Sequence, residues 1–132
     1  QTAPQHATQR TFQAPYDRVW KSTIAALGDH PVMAIEKDSG FVTTDWVRTS
    51  STGHVAGGLG LMPGGRAELR YKLNVHVMSR SETDTDVRIT NHSEANVYNV
   101  WSGQHEWQPI SSETTIEHQL LEQIQEKTVT LP

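Results

Sequence analysis

The stretch FQAPYDRVWKSTIAALGDHPVMAIEKDSGFVTTDWV, residues 12–47, contains the pattern of one helix followed by a hairpin. Its first apolar side chains recur at the spacing of one helix face, namely Val19, Trp20, Thr23, Ile24 and Leu27. Pro15 suits a first helical turn because an N–H at that position has no partner within the helix, and Gly28 is expected to end the helix in a left-handed conformation. We therefore predict a helix over residues 15–27, with Trp20 in the hydrophobic core.

Four strands, arranged as two hairpins, account for the alternating patterns that follow this helix. Residues 31–37 and 40–48 form the first pair, and the Asp-Ser-Gly sequence at 38–40 fits a tight turn between them. Residues 67–79 alternate most clearly, with mostly apolar side chains on one face and polar ones on the other, namely Arg70, Lys72, Asn74 and His76. Residues 86–91 repeat the alternation, so we predict a second hairpin with one solvated face.

The C-terminal part combines a mixed segment with a second helix. Residues 95–101, ANVYNVW, are predicted as a strand, and residues 102–109, SGQHEWQP, as a loop. Residues 112–127 have the apolar stripe of an amphipathic helix, formed by Ile116, Leu120, Leu121 and Ile124. Near the start of this helix, Glu117 complements the positive end of the helix dipole.

The order of these elements indicates the fold class. A strand, a helix, a hairpin, a glycine-rich stretch, a second hairpin and a final helix follow one another along the chain. Consecutive antiparallel hairpins with two amphipathic helices favour an α+β fold, in which both helices pack on one face of an antiparallel sheet. This helix-grip-like arrangement is predicted as a single domain over residues 10–132, preceded by a disordered, polar tail over residues 1–9.

Composition excludes several classes of function. The chain has 132 residues, of which 35% are hydrophobic and 20% charged, and it carries a net charge of -4 with interspersed signs. A nucleic-acid partner is not expected, because the sequence has no basic stripe to neutralise phosphates. The chain contains no cysteine, which removes disulfides, thiolate metal sites and a cysteine nucleophile from consideration.

The sequence contains no catalytic signature. The stretch GHVAGGLGLMPGGR, residues 53–66, holds six glycines, but no Lys-Ser or Lys-Thr follows and the next element is a strand. It therefore does not match a phosphate-binding loop. The seven histidines are scattered without metal-ligand spacing, and there is no G-x-S-x-G nucleophile elbow. We predict a protein that is not an enzyme and that uses no metal ion or cofactor.

The glycine-rich stretch and two tryptophans are the candidates for contact with a partner. The segment over residues 49–65 is either a mobile connection between the hairpins or a flap that contacts a partner through an apolar tip. Two tryptophans flank a polar segment, where each is either a lid on the sheet or an exposed anchor. The predicted partner-binding residues are Leu59, Leu61, Met62, Trp101 and Trp107.

Residues 12–47 contain A-P-x-D-x-V-W at the start of the predicted helix, then an Asp and a Gly in the turn, and a strand that ends near a Trp. The positions are Ala14, Pro15, Asp17, Val19, Trp20, Asp38, Gly40 and Trp46. This pattern resembles that of domains of BamC (NlpB), the lipoprotein of the outer-membrane β-barrel assembly machine, and of related small bacterial lipoproteins. The resemblance implies a helix-grip domain on the periplasmic side of a Gram-negative outer membrane, tethered through a lipidated cysteine upstream of Gln1.

Two classes of function follow from these patterns. The first is a non-catalytic lipoprotein domain that binds a protein or another envelope component in outer-membrane assembly or maintenance, with membrane contact only through the upstream anchor. The alternative is a domain that binds a lipid or another apolar small molecule in a cavity between the sheet and the C-terminal helix. The large side chains among residues 69–77 are of a size to fill such a cavity, which favours the first function.

Overall fold

The computed structural model describes residues 6–52, 66–99, 101–110 and 115–130. Within these ranges the chain forms seven strands and two helices. In chain order they are β1 (His6–Phe12), α1 (Tyr16–Ala26), β2 (Val32–Glu36), β3 (Phe41–Thr44), β4 (Val47–Thr52), β5 (Arg66–Ser79), β6 (Thr85–Asn99), β7 (Gln104–Ile110) and α2 (Thr115–Thr130). This is the α+β composition that the order of the patterns predicts.

The described strands form one antiparallel sheet built around the β5–β6 hairpin. The main path runs β1-β6-β5-β3-β2, while β4 pairs with β5 and β7 pairs with β6. β5 and β6 pair continuously from Ser79↔Thr85 to Glu68↔Asn96, which is the longest ladder among the described strands. On either side of this hairpin, two shorter strands share one long one: β3 and β4 border β5, and β1 and β7 border β6.

Both helices pack on the same face of the sheet, and the hydrophobic core lies between the two layers. A single cluster of buried side chains joins α1, α2 and the strands. α1 contributes Val19 and Trp20, and α2 contributes the predicted stripe of Leu120, Leu121 and Ile124. Full burial of an aliphatic side chain is worth roughly 1.5–3 kcal/mol, so this shared face is a main source of stability. The predicted helix-grip-like arrangement and the burial of Trp20, which is 7% exposed, are confirmed.

The start of α1 follows from local backbone chemistry. Pro15 stands just before the helix in an extended conformation, with φ of -69° and ψ of 159°. Its carbonyl oxygen accepts hydrogen bonds from the N–H groups of Arg18 and Val19, both at 3.1 Å. The helix covers Tyr16–Ala26, one residue shorter at each end than the predicted range 15–27. The left-handed conformation expected of Gly28 is wrong, because its φ is not positive and Leu27 caps the helix with a φ of -87°.

The first strand includes residues that were predicted to be a disordered tail. β1 pairs with β6 from His6↔Asn91 to Phe12↔Thr85. The disordered tail predicted for residues 1–9 is therefore wrong for residues 6–9, which belong to the sheet. A strand at the border of a sheet is held mainly by backbone hydrogen bonds, which any residue except proline can donate. A polar segment can therefore form such a strand without an apolar pattern that predicts it.

The strand predicted over residues 40–48 is in fact two strands, β3 and β4, and both pair with β5. Between them, the N–H of Asp45 donates to the carbonyl oxygen of Pro31 at 2.7 Å, and the N–H of Trp46 donates to the Asp45 carboxylate at 2.8 Å. These bonds take two residues out of the ladder with β5. Hydrophobic alternation does not reveal such a break, because the alternation continues across it.

The loop predicted over residues 102–109 is wrong. Most of these residues form β7, which pairs with the distal half of β6, and β6 itself is one continuous strand. A short turn joins the two strands and contains Gly103 at a φ of +71°. Pro109 is compatible with this strand because a proline at the border of a sheet sacrifices no ladder hydrogen bond on its outer side.

The second helix, predicted over residues 112–127, covers Thr115–Thr130 and so continues three residues beyond the predicted end, while residues 112–114 lie outside the described residues. The glycine-rich part of the predicted flap, residues 53–65, lies outside the described residues. Residues 49–52, which were included in that flap, belong to β4 and pair with β5. The predicted flap is therefore wrong over those four positions.

Candidate functional site

The β2 strand forms one border of the described sheet. It pairs with β3, with Ile35↔Val42 and Glu36↔Phe41 in register, and a register shift near its start marks a β-bulge. On its other side, no strand of the described chain provides partners for its backbone N–H and C=O groups. Within the described part of the chain, this border is therefore open to a further strand.

Large apolar side chains are exposed along this border. Val32, Met33 and Ile35 are 37%, 62% and 52% exposed, and Phe41 on the adjacent strand is 43% exposed. Sheet borders in natural proteins are usually protected by charges or by proline, whereas the charge within β2 is confined to its last residue, Glu36. A sheet border with several large apolar side chains exposed is a candidate surface for binding a partner.

The turn between β2 and β3 is fixed to the rest of the protein. Gly40 has a φ of +79°, its N–H donates to the carbonyl oxygen of Glu36 at 2.8 Å, and its carbonyl oxygen accepts from the N–H of Val77 at 2.7 Å. The hydroxyl of Tyr16 on α1 donates to the carbonyl oxygen of Lys37 at 2.6 Å. Burial, and then the charge of neighbouring carboxylates, raises the pKa of Tyr16, which keeps its phenol protonated as a donor.

A cluster of cationic and aromatic side chains lies on the outward face of the sheet, opposite the helices. The guanidinium of Arg70 lies 4.1 Å from the ring centroid of Trp46 and 4.2 Å from that of Trp107, and its Nε donates to the Glu94 carboxylate at 2.8 Å. The ammonium of Lys72 lies 4.9 Å from the Trp46 ring. The two rings are thus engaged by the protein's own cations, so the cluster stabilises the outward face.

The structure separates the predicted partner-binding residues. Trp101 lies in the β6–β7 turn and is 95% exposed, whereas Trp107 on β7 is half-buried in the cationic cluster. Leu59, Leu61 and Met62 lie outside the described residues. The role of these five residues in partner binding stays a prediction.

The sheet face beneath the helices is filled by apolar side chains. Leu73, Val75 and Val77 are each at most 1% exposed, in agreement with the expectation that their large side chains fill the space between sheet and helices. Polar groups are enclosed beside them, and one is a carboxyl group: Glu117, in the first turn of α2, is fully buried and faces the sheet. Its Oε1 accepts a hydrogen bond from the amide of Asn91 at 2.8 Å, and its Oε2 has no hydrogen-bond partner among the described residues.

Sequence analysis missed the β2 border because Met33 and Ile35 fit an ordinary alternating strand. Whether a strand lies inside a sheet or at its border depends on pairing with distant segments, which a single sequence does not show. The outward face could be predicted in part, since the alternating polar side chains of β5 indicate a solvated face. Its aromatic partners, Trp46 and Trp107, could not be assigned because they come from other strands.

Two further features can be checked within the described ranges. None of the helices there is long and apolar enough to cross a membrane. Nor do those ranges contain a group of three or more His, Asp or Glu side chains placed to hold a metal ion. The features that stand out on the described surface are the β2 border and the outward face of β5 and β6.

Comparison with solved structures identifies the class of fold. A TBP-like protein from Parabacteroides distasonis ATCC 8503 aligns over 97% of this chain and 97% of its own, with a TM-score of 0.55 and 8% identity. A protein from Thermus thermophilus aligns over 96% and 97%, with a TM-score of 0.37 and 15% identity. The Zhui aromatase/cyclase from Streptomyces sp. R1128 aligns over 97% and 87%, with a TM-score of 0.34 and 14% identity.

The first of these comparisons shows that this chain has the fold of TBP-like proteins, an open antiparallel sheet with two helices. No protein-family model matches the chain, and no curated protein matches it. Fold alone does not determine function, because one fold hosts many unrelated activities.

Proposed function

We propose that this protein is a non-catalytic binding domain of the bacterial cell envelope, and that it holds an extended segment of a partner protein along β2. The observation that carries the proposal is the open border of β2 with its exposed apolar side chains, Val32, Met33 and Ile35. A partner strand would form hydrogen bonds with the unpaired backbone groups and bury these side chains in the same step.

The β2 border suits a modest affinity. Full burial of an exposed aliphatic side chain stabilises a complex by roughly 1.5–3 kcal/mol. Val32, Met33 and Ile35 are only partly exposed, so a partner would gain less than this from each of them. Association itself costs at least several kcal/mol in lost rotational and translational freedom. Backbone hydrogen bonds supply the remaining stabilisation. Because the β2–β3 turn is already fixed to α1, binding requires little further loss of conformational entropy in this protein.

The envelope assignment rests on the resemblance of residues 12–47 to BamC domains. Two residues of that pattern, Trp20 and Gly40, occupy the structural positions the pattern requires, one in the core and one in a turn with positive φ. We accordingly propose a periplasmic location, a lipid anchor upstream of Gln1, and a role in outer-membrane assembly or maintenance. Trp101 and the glycine-rich stretch are proposed as a second contact with the partner.

Two tyrosines of the described chain are poor candidates for a general acid or base. Burial is the main cause that raises the pKa of Tyr16 and the cause that raises the pKa of Tyr71. A general acid or base works best with a pKa near the working pH. Both phenols are moved further from the neutral range, so neither is tuned for proton transfer.

A photocrosslinking amino acid placed at position 33 tests the proposed border. Position 129 is the matched control, because Val129 is 69% exposed and lies on α2, away from the sheet border. In cells that produce the full chain, we expect position 33 to crosslink to one envelope protein and position 129 to give no such product. A synthetic peptide of the crosslinked segment should bind the purified protein and slow hydrogen exchange of β2 amides.

Substitutions by lysine distinguish binding at the β2 border from non-specific binding to any exposed apolar side chain. Ile35→Lys should abolish both the crosslink and the binding of the peptide, and Val129→Lys should leave both unchanged. Equal crosslinking from the two positions, or peptide binding that Ile35→Lys does not weaken, would contradict the proposal.

Glu117 favours a second candidate function, the binding of an apolar small molecule or lipid inside the protein. Its unpartnered Oε2 is a buried acceptor, which a donor on a ligand would stabilise, and the network continues where the Ser93 hydroxyl donates to Asn91 at 2.7 Å. Native mass spectrometry of the purified protein tests this candidate. A bound small molecule that is lost in Glu117→Leu would support it, and the mass of the polypeptide alone would contradict it.

A further inference from the structure

A groove lies on the outward face of the sheet, beside the β2–β3 hairpin. It encloses about 400 Å³, which is within the range of small-molecule sites. Three neighbouring strands line it with six side chains, Phe41, Asn74, His76, Arg88, Thr90 and His92. The register explains their convergence, because Phe41 is paired with His76 and His76 is paired with Arg88 across successive strands.

Arg88 gives this groove a positive charge that the described protein does not neutralise. Its guanidinium makes no ion pair or hydrogen bond in the described part of the chain, and no carboxylate lines the groove. The other arginines with described side chains each bind a carboxylate or a carbonyl oxygen, namely Arg10, Arg18, Arg48, Arg70 and Arg80. Arg88 is thus unusual within this protein.

The carboxylates on either side of Arg88 along β6 are already engaged. Asp86, two residues before Arg88 on β6, accepts a hydrogen bond from the Thr11 hydroxyl at 2.5 Å. Glu94, further along the same strand, is bound to Arg70. The positive charge of Arg88 is therefore available to an anion from solution, and a guanidinium binds a carboxylate or phosphate through two parallel hydrogen bonds.

An aromatic platform lies next to this charge. The rings of Phe41 and His76 are stacked, with centroids 4.0 Å apart and an angle of 9° between their planes. Phe41 remains 43% exposed, so part of its ring is accessible to a further planar group. On the other wall, the Asn74 amide nitrogen and Nε2 of His92 are 3.3 Å apart, which holds both side chains in place.

We infer that this groove binds a small molecule that carries a carboxylate or phosphate group beside a flat ring. Arg88 binds the anionic group, the hydroxyl of Thr90 is placed to donate to it, and the ring stacks on Phe41. This site lies on the outward face of the sheet and does not depend on the partner strand proposed for the β2 border.

A titration of the purified full chain with phenyl phosphate, monitored through the ¹H–¹⁵N chemical shifts of the backbone amides, tests the site. We expect shifts that concentrate on residues lining the groove. Arg88→Gln should weaken binding roughly tenfold or more, the loss expected for a charge-assisted hydrogen bond. Arg48→Gln is the matched control, because Arg48 is an exposed arginine elsewhere on the outward face and should leave binding unchanged.

Two further probes separate the anion from the ring. Benzoate should bind at the same residues as phenyl phosphate, because Arg88 accepts either anionic group. Phe41→Leu should weaken phenyl phosphate more than inorganic phosphate, since only the former carries a ring. The inference is overturned if phenyl phosphate causes no shifts at millimolar concentration, if the shifts lie outside the groove, or if Arg88→Gln and Arg48→Gln weaken binding equally.

Discussion

The guanidinium of Arg70 lies over the indole ring of Trp107 at 4.2 Å, although their strands, β5 and β7, are not neighbours. Glu94, directly opposite Arg70 on the intervening β6, binds the same guanidinium. On the other side, Arg48 of β4 is directly opposite Arg70. Two like charges directly opposite each other on paired strands destabilise a sheet. The Trp107 ring and the Glu94 carboxylate offset the repulsion between Arg48 and Arg70.

Removal of this guanidinium should lower stability. We expect Arg70→Gln to reduce the free energy of unfolding by about 1–3 kcal/mol, because it removes a half-buried charge-assisted hydrogen bond and the stacking on two rings. Urea denaturation measures the change. Arg80→Gln removes a longer ion pair, at 3.7 Å, between an exposed guanidinium and the Asp86 carboxylate, and should change stability by less than about 1 kcal/mol. Equal losses in the two variants would show that the stacking contributes nothing.

Trp20 should be a major contributor to the core. It is 7% exposed and stacks on Tyr16 with ring centroids 6.2 Å apart. We expect Trp20→Ala to cost about 3–5 kcal/mol, the range for loss of a buried aromatic side chain. The control is Trp101→Ala, which removes an indole that is 95% exposed and should change stability by about 0.5 kcal/mol or less. A denaturation midpoint unchanged in Trp20→Ala would place this side chain outside the core.

Gly40 should not tolerate a side chain. Its φ of +79° is unfavourable for other residues by roughly 1–2 kcal/mol, and an added Cβ would clash with the carbonyl oxygen of Val77. Gly28→Ala is the matched control, because that position has no positive φ and the nearest atom to an added Cβ is 3.2 Å away. Thermal denaturation should therefore show a larger loss for Gly40→Ala, and a larger loss for Gly28→Ala would contradict the turn geometry.

The buried bond between Asn91 and Glu117 should appear as a coupling energy. A double-mutant cycle with Asn91→Ala and Glu117→Ala should give about 0.5–3 kcal/mol, the range that covers neutral and charge-assisted hydrogen bonds. The comparison pair is Arg10 and Glu122, an ion pair near the surface at 3.0 Å, for which we expect less than about 1 kcal/mol. Strictly additive effects at the first pair would mean that the hydrogen bond is not formed in solution.

Local patterns predicted the helices and the central hairpin. The positions of Val19, Trp20 and Leu120 follow from helical spacing, because an amphipathic helix must bury its apolar stripe wherever it packs. The same holds for the inward side chains of β5, whose alternation identifies the buried face. These elements were predictable because their own residues carry the signal for their structure.

The strands at the sheet borders were not predictable in the same way. Residues 6–9 and 104–110 are mostly polar, and they join the sheet through backbone bonds to β6 that leave no pattern in their side chains. The candidate sites have the same difficulty. Arg88 and Phe41 are far apart in sequence, and only the register of β3, β5 and β6 places them in one groove.

β1 and β7 lie one after the other along the same side of β6, where His6 is paired with Asn91 and Ile110 with Ser93. The chain therefore enters the sheet at the middle of β6 and not at a corner. The β2 border is on the opposite flank, four interstrand steps of about 4.8 Å away. The lipid anchor that we propose upstream of Gln1 would attach through β1, at the flank opposite the β2 border. Tension between an anchored end and a bound partner would then pass across every strand of the main path, from β1 to β2.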